Sequence, residues 1–282
     1  MNIEIPREVP EEVLVDNLIL LGYRGSVAHN MYIPNSDPNS IDDIDIMGVF
    51  LARENFYVGL GQAKAISNVG LGQKEFANPQ TIEIMKEVDG VMWDCVYYEL
   101  RKFIKLLLRG NPNTLNLLWI KPEHYLMQKE SGKTIVENRN GFLGKNPLYD
   151  SFTGYADGQL KKMTHFKTEG YMGKKRKKLI EKYGYDTKNA AHLIRLLTMG
   201  IEALNTNKMK IFRDKDVNTL LDIKTGKWSL KKVKNLSKKL FKLAKKAHAK
   251  STLPNEPDYL MAERITMKIL VDYITKGEII WY

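Results

Sequence analysis

The feature that most restricts what this chain can fold into is a pair of carboxylates set inside an apolar strand pattern. In Asp42-Asp43-Ile44-Asp45-Ile46-Met47-Gly48-Val49, period-two alternation puts Asp43 and Asp45 on one face of a strand and turns Ile44 and Ile46 into a core. Asp42 falls on the opposite side from the pair. Two neighbouring carboxylates repel each other, and a divalent cation is their usual counter-charge. Oxygen ligands suit Mg²⁺, and two metals can clamp both ends of an in-line phosphoryl displacement. Upstream, Leu18-Ile19-Leu20-Leu21 is an apolar segment of strand length leading into Gly22-Tyr23-Arg24-Gly25-Ser26. The Gly25-Ser26 turn stands where a helix N-terminus would offer backbone N–H groups to a phosphate. A plain acidic turn is the competing reading, because Pro34 to Ser40 is loop chemistry. It loses ground because the carboxylates lie within the apolar pattern and not at its tip. An EF-hand is excluded, since its ligand spacing is absent.

A chain of 282 residues can bury a sizeable core and build one large or two modest domains. The formal net charge of +11 favours contact with polyanions, nucleic acid first among them. The single cysteine, Cys95, excludes an internal disulfide and a cysteine-based zinc site, and suits a reducing compartment. No apolar run reaches the length of a membrane span, and the N-terminus, with Pro6 and Pro10, is unlike a signal peptide. The expectation is a cytoplasmic protein with no membrane contact.

Along the chain, Pro10 followed by Glu11 and Glu12 predicts a helix reaching about residue 17. Strands are expected over 18–23 and 44–52, and Gly70-Leu71-Gly72 reads as a turn, with no Lys-Ser or Lys-Thr after it to make a phosphate loop. Thr81 to Val88, then Asp89-Gly90, then Val91 to Tyr97 is a strong hairpin signal. Asp94 sits in its returning strand among large apolar neighbours, either at a strand edge facing solvent or gathered into a site as a third carboxylate, with Glu99 as competitor. A helix over 98–109 ends at Gly110, and a second is capped by Asn113 or Thr114. Loops and short elements over 124–150 mark a boundary between domains 1–145 and 146–282. Beyond it lie the cation block Lys174 to Lys178, a helix over 188–204 and a closing helix over 259–275. Lys188, His192 and Arg195 share one face of the first of these helices. The lysine-laden helix 229–250, with Leu230, Val233, Leu236, Leu240 and Leu243 as its apolar stripe, reads as a solvated helix face, with an RNA groove as the alternative.

Taken in order, Gly25-Ser26, Asp43-Ile44-Asp45 and Asp94 resemble the DNA polymerase β superfamily of nucleotidyltransferases. Tyr98 to Phe103, Gly110 to Asn113, Phe152 with Gly154-Tyr155-Ala156, and Lys188 to Leu197 are similar to its RNA-repair, RNA-ligase-associated branch. The likeness covers most of residues 15–225. It implies an α+β fold: a polymerase-β-like palm, a mixed sheet with flanking helices, followed by a helical domain. It also implies that Asp43 and Asp45 bind Mg²⁺, with Mn²⁺ as a substitute. Asp94 would complete the second metal site and help deprotonate the acceptor hydroxyl. Gly25 and Ser26 would contact the triphosphate, and Lys188, His192 and Arg195 would hold the nucleotide. Two departures stand out: the loop between Ser26 and Asp43 is long, and Asn116 stands where the family usually has a glutamate.

The activity expected is transfer of an NMP from an NTP, ATP included, to a hydroxyl on RNA, such as a tRNA end or a strand under repair. Two alternatives stand beside it: the same chemistry on a protein or small molecule, or a non-catalytic basic RNA-binding protein. The sequence leaves the oligomeric state open.

Overall fold

The computed structural model describes residues 6, 8–34, 37, 42–59, 80–164 and 174–276, with the side chains of 174 and 175 excepted. The turn expected at Gly70-Leu71-Gly72, most of the loop before Asp42, and part of the Lys174–Lys178 block lie outside the described residues.

Five strands form one mixed sheet in the order β3-β4-β2-β1-β5. β1 (Leu18–Tyr23) and β2 (Ile44–Phe50) pair antiparallel, and β2 runs parallel to β4 (Val91–Glu99). β3 (Thr81–Val88) forms the expected hairpin with β4, and Asp89 and Gly90 take φ of 49° and 77° at its turn. Positive φ at both central residues is what a tight two-residue hairpin turn demands. β5 (Tyr125–Gln128) closes the other edge, in a stretch the sequence reads as loop. The helix expected after Pro10 is only a 3₁₀ turn, Glu11–Val13, because the chain bends at Asn17 (φ 53°) to enter β1.

Alternation along the strands divides the sheet into two faces. Ile44, Ile46, Trp93, Cys95 and Tyr97 pack with Leu18, Leu21 and Phe56 on one side. Met47, Val49 and Val96 face the other way, into a larger apolar cluster shared with the helices. That second face is the one on which Asp45 and Asp94 also stand, one step toward the strand starts. The short α1 (Gly25–Ala28) follows β1, and α2 (Glu54–Val58) follows β2. α3 (Leu100–Leu108) and α4 (Pro112–Leu117) then cover the sheet. Asn111, not Asn113 or Thr114, caps α4: its side chain accepts from the Asn113 and Thr114 N–H groups, with Pro112 at the first helical position. Glu99 caps α3 by accepting from the Arg101 and Lys102 N–H groups at 3.0 and 3.1 Å, which takes it away from the carboxylate pair.

After α5 (Glu130–Glu137) the chain is helical from α6 (Lys145–Thr164) onward, through α7 (Lys174–Tyr183), α8 (Thr187–Thr206), α9 (Val217–Lys224), α10 (Leu230–Lys250) and α11 (Tyr259–Lys276). One apolar cluster runs from Ile19 and Leu20 through Phe103, Phe152 and Leu193 to Ile269, so sheet and helices share a core. α8 is the hub: thirteen of its residues are buried, and it packs against α6, α9 and α10. Such an all-round apolar helix belongs at a centre. Among the described residues, no helix is long and apolar enough to cross a membrane. The arrangement is α+β, a mixed sheet with flanking helices followed by a helical part.

Candidate active site

The site is built where the apolar packing of that sheet face gives way to acid. Asp45 and Asp94 are register partners on the parallel strands β2 and β4, so their carboxylates stand side by side. Arg24, at the end of β1, reaches between them. Its Nη2 lies 2.9 Å from Asp94 and 3.6 Å from Asp45, and its Nε donates to the Ile46 carbonyl at 3.2 Å. Burial nonetheless raises the Asp45 pKa, with Arg24 and Lys188 opposing. Gly25 follows in the left-handed region (φ 59°), and a Cβ there would come within 2.0 Å of Asp45 Oδ2. Glycine is therefore required twice over, by backbone and by the approach of a carboxylate.

Asp43 precedes the strand and is half-buried. Burial raises its pKa, and Lys188 pulls the other way. It stands outside the lining of the cavity onto which Asp45 and Asp94 open. Asp42 is the surprise. The strand pattern places it on the far side from the pair, yet it is buried against the same cavity, accepts from the Ile33 N–H at 2.9 Å and pairs with Lys224 Nζ. Lys224 also donates to the Met31 carbonyl at 2.7 Å. Local periodicity ends where the strand ends, and Asp42 lies two residues ahead of it, so alternation does not govern where it points.

The cavity, of about 370 Å³, has the sheet carboxylates on one side and helices on the other. Lys162 of α6, Lys188, His192 and Arg195 of α8, and Lys224 of α9 line it, so the three α8 residues share one wall as their spacing requires. His29 sits behind them, fully buried. Both Arg195 Nη1 and Asn116 Nδ2 (3.2 Å) donate to its Nε2, which leaves Nδ1–H to donate to the Ile211 carbonyl at 3.0 Å. Burial first, then Arg195, lowers the pKa of His29 and likewise of His192, where Lys188 adds to the effect. His192 is thus a neutral member of a cationic wall. Burial and Arg213 also lower the pKa of Arg195, with Asp45 and Asp216 opposing, and its guanidinium touches His29 and the Met199 sulfur. A bound anion beside it would add to the attraction of Asp45 and Asp216.

Three buried polar atoms around this cavity have no partner among the described residues: Ser26 Oγ, Asn116 Oδ1 and Gln159 Oε1. Buried polar atoms are nearly always satisfied, and orphans gathered around one cavity suit a polar ligand. Gln159, Lys162 and Lys224 carry no recognisable local signature and come together only through the fold. Arg24 was adjacent to the Gly-Ser turn, and a cation beside a carboxylate pair was the signal to follow.

Hard oxygen donors on adjacent strands, with a glycine kept bare beside one of them, suit a magnesium ion. Among the described residues, however, no three His, Cys, Asp or Glu side chains converge closely enough to hold a metal unaided. Asp45 and Asp94 fit as a two-carboxylate holder that phosphate oxygens would complete.

A mixed sheet presenting paired carboxylates to a cationic helical wall is the site of a protein of the DNA polymerase beta class. Residues 15–268 match the model of the RNA repair pathway DNA polymerase beta family, RlaP, and the chain belongs to that family. Among solved structures, a nucleotidyltransferase-like protein from Exiguobacterium sibiricum 255-15 aligns over 91% of this chain and 75% of its own, at 6% identity and a TM-score of 0.29. No curated protein matches the chain.

Proposed function

We propose that the protein is a Mg²⁺-dependent nucleotidyltransferase that moves an NMP from an NTP to a hydroxyl of RNA. One observation carries the reading: Asp45 and Asp94, paired on neighbouring strands, face Lys162, Lys188, Arg195 and Lys224 across one cavity. Cations opposite carboxylates are what a triphosphate bound through metal requires. The RNA acceptor is supported by the family's RNA-repair description and by the net charge of +11.

In this scheme Lys188, Arg195 and Lys224 hold the triphosphate as charge partners, and the Ser26 hydroxyl hydrogen-bonds a phosphate oxygen. Asp45 and Asp94, with Asp43 at the rim, would hold the metal, which supplies Lewis-acid stabilisation of the transferring phosphoryl group when bound. A carboxylate oxygen of Asp94 takes the proton of the acceptor hydroxyl. The acceptor oxygen bonds to the α-phosphorus, the α–β bridging bond breaks, and its electron pair leaves with pyrophosphate. Arg24 orients both carboxylates.

The test is incubation with each α-labelled NTP, Mg²⁺ and a pool of RNAs. Asp45→Asn and Asp94→Asn should each lower label transfer at least 100-fold. Asp45→Asn should stay folded with an undiminished Tm, because it removes a charge that burial disfavours. Transfer at wild-type rate in both variants would overturn the assignment.

A further inference from the structure

Helix α10 carries nine lysines and no aspartate or glutamate over Leu230–Lys250, nine of the chain's surplus of eleven positive charges. Of the apolar stripe expected from sequence, Val233 is buried and Leu230, Leu236 and Leu240 pack half-buried against the core, while Leu243 turns outward. Val233, Ser237, Ala244 and Ala247 are buried against its neighbours, and Leu243 is 48% exposed. Small residues let α10 lie close to α8 and turn a broad face to solvent, which Lys231, Lys238, Lys239, Lys242, Lys245 and Lys246 occupy.

An ordinary solvated helix face does not look like this. Some exposed lysines elsewhere pair with an acid on their own helix, as Lys133 does with Glu130 and Lys161 with Asp157, whereas α10 offers its lysines no acid at all. Among the described residues no lysine of α10 has an ion pair. Lys234, Lys238, Lys242 and Lys246 succeed one another at four-residue steps, and such like-charge neighbours disfavour the helix. A polyanion laid along the face would reverse that sign.

The placement connects this face to the site. Lys224 of the cavity is followed five residues later by Ser229, the cap of α10. The Tyr185 hydroxyl, just ahead of α8, donates to the Trp228 carbonyl at 2.5 Å, and Lys232 stands over the Trp228 ring. At the far end Asn207 Nδ2 donates to Thr252 Oγ1 at 2.8 Å. α10 therefore starts beside the Lys188 end of α8 and runs parallel to it, away from the cavity, for roughly 30 Å at 1.5 Å per residue.

We infer that the lysine face of α10 is the docking surface for the phosphate backbone of the RNA whose end enters the cavity. The choice of RNA over other polyanions rests on the transfer reading; the surface itself does not. Recognition is by charge, so it is indifferent to sequence and sensitive to salt.

The full-length protein would be titrated, without NTP, against a labelled RNA hairpin with a single-stranded 3′ tail over a range of salt concentrations. Lys238→Glu/Lys242→Glu/Lys245→Glu should weaken binding at least tenfold. It should also flatten the salt dependence by about two in log–log slope, the value for three released single-strand contacts. A charge-matched control on another face, Lys129→Glu/Lys133→Glu/Lys268→Glu, should change affinity less than threefold. Equal losses in both variants would overturn the docking surface in favour of diffuse charge. Binding to vesicles rich in anionic lipid together with indifference to RNA would overturn it in favour of a membrane surface. Absent NMP transfer alongside the stated RNA result would sink the transfer reading and leave the docking surface standing.

Discussion

Gly25 shows how much of the site hangs on an absent side chain. Its φ of 59° and the Asp45 carboxylate 2.0 Å from where a Cβ would stand mean that Gly25→Ala cannot be accommodated without moving a reacting group. The left-handed backbone alone costs alanine about 1 kcal/mol. Displacing Asp45 by even an ångström adds a loss of about 100-fold in turnover. The variant should thus be only mildly destabilised in a thermal melt while its transfer rate falls about 100-fold. Wild-type turnover would show that Asp45 does not act from this position. The glycine is legible in sequence as a turn. Its second duty is not, because the carboxylate that needs the room lies twenty residues on and is brought close by the β1–β2 pairing.

Elements made by local chemistry are the ones the sequence discloses. The β3–β4 hairpin follows from Asp89-Gly90 and flanking alternation, and β1 and α3 lie within two residues of where apolar spacing puts them. Contacts between distant elements are not disclosed, and Asp42–Lys224 is the clearest case: α9 is fastened to the approach of β2 by a buried pair 182 residues apart. Removing one member strands the other. Lys224→Met should cost about 3–5 kcal/mol in urea denaturation, because it leaves Asp42 buried without its cation. Asp42→Asn added to Lys224→Met should recover much of that stability, since an amide can stay buried without counter-charge. It should not recover NTP binding if Lys224 also serves the triphosphate. A single Lys224→Met variant of unchanged stability would show that the pair does not tie α9 to the sheet.

At the scale of the whole molecule, Asp45 and Asp94 of the candidate site stand out in the sequence while Asp42, Lys162 and Lys224 do not, for a physical reason. Asp45 and Asp94 announce themselves by interrupting an apolar pattern, whereas Lys162 and Lys224 are ordinary surface-type residues until the fold brings them to one cavity. What joins the sheet side to the helical side is His29. It follows α1, its Nε2 accepts from Asn116 of α4 and Arg195 of α8, and its Nδ1–H donates to the Ile211 carbonyl. Its pKa is held well below the ordinary 6.5 by burial and by Arg195. Protonation would put a second cation against Arg195 and remove the acceptor that both donors use. The sign follows from linkage: below 6.5 the unfolded chain takes up a proton that the folded chain refuses. The stabilisation is therefore complete above that value and is lost as pH falls toward the folded pKa. His192, also lowered, acts in the same direction. Between about pH 7 and 5.5 stability should fall with a slope approaching about 1.4 kcal/mol per pH unit for each histidine. His29→Gln should remove about one proton from that slope at some cost in stability. Urea midpoints across this range measure it, and a midpoint that does not move with pH in the wild type would mean that His29 is not the neutral keystone between sheet and helices.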